Sequence, residues 1–254
     1  MIRLEHVSVE VEGRKILDDV SFVVKDGETK VILGPSGAGK SSLLKMILGL
    51  WKPDSGSVFV DGTELTHLTE REKMPVRRRM SMVFQGNALF DSLTVAENVA
   101  FFLQEHSDMP PDQIGERVED CLEFVNLPET QDLLPEELSG GMKKRVAIAR
   151  AIAFNPEVIL YDEPTTGLDP LNAKLITELI IRLKKKRNVT SVVVTHILRD
   201  AFAVGDSLAL MNDGRVVFDG SAEDLLGSAD SFVQSFLSEI REEANLLSLH
   251  KEGS

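Results

Sequence analysis

The stretch Gly34-Pro35-Ser36-Gly37-Ala38-Gly39-Lys40-Ser41 limits the possible folds more than any other. The residues before it, Thr29-Lys30-Val31-Ile32-Leu33, read as a buried strand. Those after it, Ser42-Leu43-Leu44-Lys45-Met46-Ile47-Leu48, read as a helix. A strand, a glycine-rich turn, a Lys-Ser pair and a helix in that order make a phosphate cradle. The glycines let the backbone curl until successive N–H groups aim at one anion, and the helix N-terminus adds partial positive charge. Gly34, Pro35, Ser36, Gly37, Ala38, Gly39, Lys40, Ser41 and Ser42 are therefore the expected nucleotide-binding residues. Lys40 is expected to reach the β- and γ-phosphates, and the Ser41 hydroxyl to ligate Mg²⁺.

The 254 residues suffice for one large domain or a domain with a subdomain. Lys and Arg number 28 against 41 Asp and Glu, a formal charge of −13. A nucleic-acid-coating protein needs a basic face, so no nucleic-acid partner is expected. Cys121 is the single cysteine, which excludes an internal disulfide, and its helical spacing with Ile114, Val118, Leu122 and Val125 places it in the core. No apolar run approaches the ~18 residues of a spanning helix, and Met1–His6 lacks the apolar core of a signal peptide. Any membrane role then falls to partner subunits.

Along the chain, Ile2–Val11 and Ile16–Val24 read as strands joined by a Glu12-Gly13 turn, and Asp26-Gly27 carries a hairpin signal. They predict a small antiparallel sheet ahead of the cradle. Ser57–Val60 with Asp61-Gly62 adds another short strand, and Trp51 is expected to pack at the end of the first helix. Glu64–Met80, with Arg77-Arg78-Arg79, reads as a solvated helical face. Ser81–Phe84 is a strand candidate with Gln85 at its end. From Leu89 to Leu138 the pattern turns helical, and Thr94-Val95-Ala96-Glu97-Asn98 looks like a helix start.

Ser139-Gly140-Gly141 opens a further helix, a second place where backbone N–H groups can meet an anion or simply be capped. Val158-Ile159-Leu160-Tyr161-Asp162-Glu163 reads as a buried parallel strand ending in two carboxylates. Asp162 is expected in the Mg²⁺ shell, and Glu163, directed the other way along the pleat, is expected to polarise the attacking water. Ser191–Thr195 is another buried strand and ends at His196, whereas the remaining histidines have no such setting. Lys184–Arg187 closes an amphipathic helix. Leu208–Asp219 forms a strand pair about Asp213-Gly214. Residues 231–240 read as an amphipathic helix that packs on its own domain or meets a second subunit, and 251–254 are expected to fray.

In this order and spacing the motifs resemble the ATP-binding cassette ATPases over nearly the whole chain. Walker A is Gly34–Ser41, the Q-loop residue Gln85, the signature Leu138-Ser139-Gly140-Gly141-Met142, Walker B ends at Asp162-Glu163, the D-loop carries Asp169, and the switch histidine is His196. The resemblance implies an α/β fold: a P-loop NTPase (RecA-like) core with an antiparallel β subdomain and an inserted helical subdomain. Residues 1–88 and 154–227 would form the nucleotide-binding core, 89–153 the helical subdomain and 228–254 a helical tail of a single domain.

It also implies a head-to-tail homodimer with ATP between Walker A of one copy and Ser139–Gly141 of the other. Glu163 would be the general base, His196 would contact the γ-phosphate, and Ser41, Gln85 and Asp162 would arrange Mg²⁺. Val11 stands where the family stacks an aromatic residue on adenine, so either looser base selectivity or simple apolar contact is expected there. Phe84–Phe101 is similar to the phospholipid-transport ATPases of the Mla type. Those work with a polytopic permease and an MCE-domain lipid-binding protein, with a small regulatory subunit as a further partner. Such a subunit would sit on the cytoplasmic face of the inner membrane, held by its permease. The alternatives are the ATPase of a small-solute importer and a soluble cassette ATPase acting as an assembly scaffold.

Overall fold

A computed structural model describes residues 1–238. Two sheets form the frame. The first is antiparallel, with strand order β2-β1-β4-β5, from β1 (Ile2–Val11), β2 (Arg14–Val24), β4 (Ser55–Val60) and β5 (Thr63–Glu64). The second has the order β10-β9-β3-β8-β7-β6. In it β9 (Ser207–Asn212), β3 (Thr29–Leu33), β8 (Thr190–Thr195), β7 (Val158–Asp162) and β6 (Met80–Val83) run parallel, and β10 (Arg215–Gly220) returns antiparallel along one edge.

The parallel strands are apolar on both faces because both faces are covered. Val31, Leu33, Ile159, Tyr161 and Val193 pack into a core shared with the helices. Ile32, Val158, Leu160, Val192 and Val194 pack into a second core with the antiparallel sheet and α1 (Lys40–Ile47). Alternate residues of one strand thus serve two cores, which is the physical reason for the unbroken hydrophobic runs.

Helices α3 (Val95–His106), α4 (Pro111–Phe124) and α5 (Gly140–Ala153) pack against one another. Cys121 lies fully buried among them, with its thiol pKa raised by burial. Thr94 starts α3 with a capping box, its hydroxyl accepting from the Glu97 N–H while Glu97 accepts from the Thr94 N–H. The buried Asn98 amide ties the preceding loop down through Phe90, Leu93 and Thr94. After β7 come α6 (Pro170–Arg187), which ends in Lys184-Lys185-Lys186-Arg187, then α7 (Leu198–Val204) and α8 (Ala222–Gly227). Residues 231–238 are helical, and the rest of the helix expected over 231–240 and the fraying end at 251–254 lie outside the described residues.

Three expectations need correction. Asp26-Gly27 is not a hairpin turn, because β2 and β3 belong to different sheets and the turn carries the chain between them. The antiparallel sheet does not simply precede the cradle, since β4 and β5 join it afterwards. The basic stretch in α2 (Glu70–Arg77) is not merely solvated. Arg77 donates to the Leu48 and Gly49 carbonyls and buried Lys73 to the Gly49 carbonyl, so α2 supplies cations to the C-terminal end of α1. Trp51 packs at that same end, under the Lys45 ammonium.

Candidate active site

The cradle follows β3, and α1 begins at Lys40. Gly39 sits at the N-cap with φ 97°, and a Cβ there would stand 2.7 Å from the Ile16 carbonyl oxygen. Glycine alone fits both the left-handed backbone and the close approach. No side chain caps α1, so its first N–H groups face the pocket without a local acceptor.

A pocket of about 610 Å³ opens on this helix start, lined by Ser36, Gly37, Gly39, Lys40, Ser41 and Ser42. Gln85, Glu163 and His196 line it too. Neighbouring parallel strands bring these groups to one edge, since the cradle leaves β3, Asp162 ends β7, His196 follows β8 and Gln85 follows β6. This is the carboxyl edge of the sheet, where open α/β folds bind ligands.

The geometry is tight. Lys40 Nζ donates to the Gly34 and Pro35 carbonyls at 2.8 and 3.0 Å and stands 3.8 Å from Glu163 Oε1. Burial pushes the Lys40 pKa down, while Glu163 and Asp162 hold it up. The Ser41 hydroxyl donates to Asp162 Oδ1 at 2.8 Å. Burial raises the Asp162 pKa, and the Ser41 hydrogen bond opposes the shift. His196 Nδ1 lies 3.0 Å from Glu163 Oε2, and the Thr166 hydroxyl donates to the same oxygen at 2.8 Å.

Glu163 diverges from Asp162, but not by strand alternation. Its φ of 46° is left-handed and turns the carboxylate across the pocket towards Lys40 and His196. The oxygens of Ser41 and Asp162, with Gln85 nearby, form a hard donor set that suits Mg²⁺. Among the described residues no three His, Cys, Asp or Glu gather into a metal cage. Mg²⁺ shared with a nucleotide needs none, since it keeps waters and takes phosphate oxygens.

Other expected site residues lie elsewhere. Val11 is 44% exposed at the hairpin tip, paired with Arg14, and does not line the pocket. The reason is strand order. β2, not β1, lies against the cradle and β10, so Arg14, Lys15 and Ile16 form that wall. Ser139 and Gly140 are exposed at the start of α5 and do not line this chain's pocket. The Ser139 hydroxyl accepts from the Met142 N–H. Asp169 caps α6, accepting from the Leu171 and Asn172 N–H groups, and takes a further bond from the Asn172 side chain.

The sequence shows the Asp213-Gly214 turn but not that it lines the pocket, and it does not single out Lys144. Lys144 is 2% exposed and donates to the Phe84 and Gln85 carbonyls at 3.1 and 2.8 Å. Burial lowers its pKa to about 8, against the pull of Asp162 and Glu163. Its signal in the sequence is helical spacing with Ala147, Ile148 and Ala151, all buried.

A family model described as ABC transporter matches residues 17–166. The chain belongs to the ABC transporter family. It is an ATP-binding, ATP-hydrolysing subunit of that family. The chain is 40% identical over 237 residues to the intermembrane phospholipid transport system ATP-binding protein MlaF of Haemophilus influenzae, covering 93% of this chain and 90% of that protein. It is 44% identical over 228 residues to the methionine import ATP-binding protein MetN of Carboxydothermus hydrogenoformans, covering 89% and 67%. A solved dimeric cassette in a post-hydrolysis state, bound to ADP and Pi, superposes with a TM-score of 0.81 at 35% identity, over 87% of this ABC subunit and 98% of that chain.

Proposed function

We propose that this ABC subunit works as a head-to-tail pair of identical copies beneath a polytopic permease and drives phospholipid transport. The carrying observation is the similarity to MlaF along nine-tenths of both chains. The pairing is supported by the solved cassette, which is a dimer. It is also supported by two helix starts that expose backbone donors in one chain, at Lys40 and at Gly140. Leu171, 69% exposed beside Asp169, gives the pairing an apolar contact. Phe90 and Phe101, with ring centroids 4.6 Å apart and both exposed, suit a permease segment docking beside Gln85. We read 89–153 as the helical subdomain that carries this surface and the signature motif. A place at the inner membrane, held by the permease, follows from that docking. An MCE-domain protein and a small regulatory subunit complete the proposed assembly.

The cradle amides and the α1 N-terminus bind the phosphates, and Lys40 neutralises charge spreading over the transferring group. Glu163 accepts a proton from the attacking water as its oxygen bonds to the γ-phosphorus and the bond to the β,γ-bridging oxygen breaks. ADP and phosphate result. His196 and Thr166 hold the Glu163 carboxylate in place, and His196 reaches towards the γ-phosphate. Ser139–Gly141 of the second copy close the site with N–H donors. Ser41, Asp162 and Gln85 would hold Mg²⁺, which would supply neutralisation of phosphate charge. The base is read by Arg14 and Ile16 rather than by Val11, which leaves adenine selectivity loose.

A methionine-type importer is the second reading, supported by the 44% identity to MetN. Purification of the tagged chain from detergent-solubilised membranes, with identification of what comes with it, separates the readings. A permease with an MCE-domain protein supports phospholipid transport. A permease with a small-solute receptor overturns it in favour of import, and recovery of no polytopic membrane protein overturns both in favour of a soluble scaffold.

A further inference from the structure

Two cations on α5 hold the backbone of the Gln85 segment. Lys144 Nζ takes the Phe84 and Gln85 carbonyls. Arg150 takes the next pair, Nη1 to the Ala88 oxygen at 2.7 Å and Nη2 to the Asn87 oxygen at 3.0 Å. The six-residue offset separates the two grips by about 9 Å along the helix axis. At the second grip the chain turns through left-handed conformations at Asn87 and Ala88, with φ 64° and 51°. Neither residue is glycine, so this loop shape persists only where its surroundings fix it. The same helix carries Ser139–Gly141 at its head. One rigid element therefore joins the signature end to the loop that presents Gln85 to the pocket.

We infer that Lys144 and Arg150 form a two-point clamp that positions Gln85, so that movement of the signature helix is passed to the pocket through the Gln85 backbone. Both are positioning residues, and neither lines the pocket. The inference rests on the pocket role assigned to Gln85 under the proposed function. An ammonium with 2% exposure is costly to bury, and two carbonyls of the Gln85 segment are its only hydrogen-bond acceptors among the described residues. A lysine serving only to fill space would be replaceable by methionine at no cost to turnover.

Steady-state ATP hydrolysis by the full chain tests the clamp, with Lys144→Met, Lys144→Arg, Arg150→Met, Gln85→Ala and the double variant Lys144→Met/Gln85→Ala. Lys144→Met is expected to lower kcat about tenfold with KM for ATP within about twofold, the signature of lost transition-state positioning. Lys144→Arg should recover most of kcat, and Lys144→Met should add nothing in the Gln85→Ala background. Arg150→Met should lower kcat in the same sense, and it carries the test if Lys144→Met fails to fold. Unchanged kcat in both methionine variants overturns the clamp. So does equal loss in the Met and Arg variants of Lys144, or a full extra loss on top of Gln85→Ala. Wild-type turnover by Gln85→Ala overturns the pocket role of Gln85 itself and the clamp with it, a result distinct from failure of the clamp alone.

Discussion

The two helix starts of this ABC subunit differ in how far one chain completes them. At the start of α1, Lys40, Ser41, Asp162, Glu163 and His196 arrive from three adjacent parallel strands and already contact one another. At the start of α5, Ser139 caps its own helix, Gly140 is exposed, and Gly141 is pressed against Asn172. The first gathers its reactive groups within one chain. The second exposes donors that stand outside this chain's own pocket. Under the proposed pairing those donors serve a second copy, so that one chain carries two halves of different sites.

The comparison is most open to attack at Glu163. Glu163→Gln keeps the shape of the carboxylate but removes its basicity, so hydrolysis should fall about a thousandfold while ATP binding and ATP-dependent dimerisation persist. Near-normal turnover, measured as phosphate release, would place the base elsewhere.

A smaller effect is expected at the other half. A Cβ on Gly141 would stand 2.3 Å from Asn172 Oδ1, and Asn172 donates to Asp169 at 2.5 Å. Gly141→Ala should cut hydrolysis about a hundredfold through displaced donors, with nucleotide binding to the lone chain unchanged. Asn172→Ala in the same chain should return part of the loss. If Gly141→Ala abolished binding by the monomer, the two halves would not be separable.

The smallest effect concerns the support of α1. Glu70 accepts from Arg77 and Lys73, which holds its pKa down at about 2 against the usual 4.5. The folded value lies below the unfolded one. The stabilisation is therefore present above pH 4.5 and drains away as pH falls towards 2. Glu70 is solvent-exposed, so salt should shrink the effect. Thermal midpoints of wild type and Glu70→Gln should differ slightly at neutral pH and converge on acidification. A gap that widened in acid would reverse the sign.

Local rules carried far where neighbours in sequence are neighbours in space. The cradle, the Thr94 helix start and the Asp213-Gly214 strand pair need only a few adjacent residues. They failed where the partner is distant. Asp26-Gly27 has hairpin chemistry, but which sheet receives the next strand is decided by packing. Glu163 lies one residue past the strand, where the pleat no longer governs direction. Lys144 sits in a Lys-Lys-Arg run whose charge gives no sign that one of the three is buried on the helix's inner face. The resemblance puts Val11 at the base, whereas strand order sets it one strand away from the pocket.

Strand order also sorts the reacting groups by the support their strands receive within the sheet. β3, β7 and β8 are each flanked on both sides, so what they present is anchored from left and right. β6 closes the row, with β7 as its single neighbour, and Gln85 hangs from its end. A sheet built this way keeps its doubly braced chemistry central and sets Gln85 at its margin, beside the surface proposed for the permease.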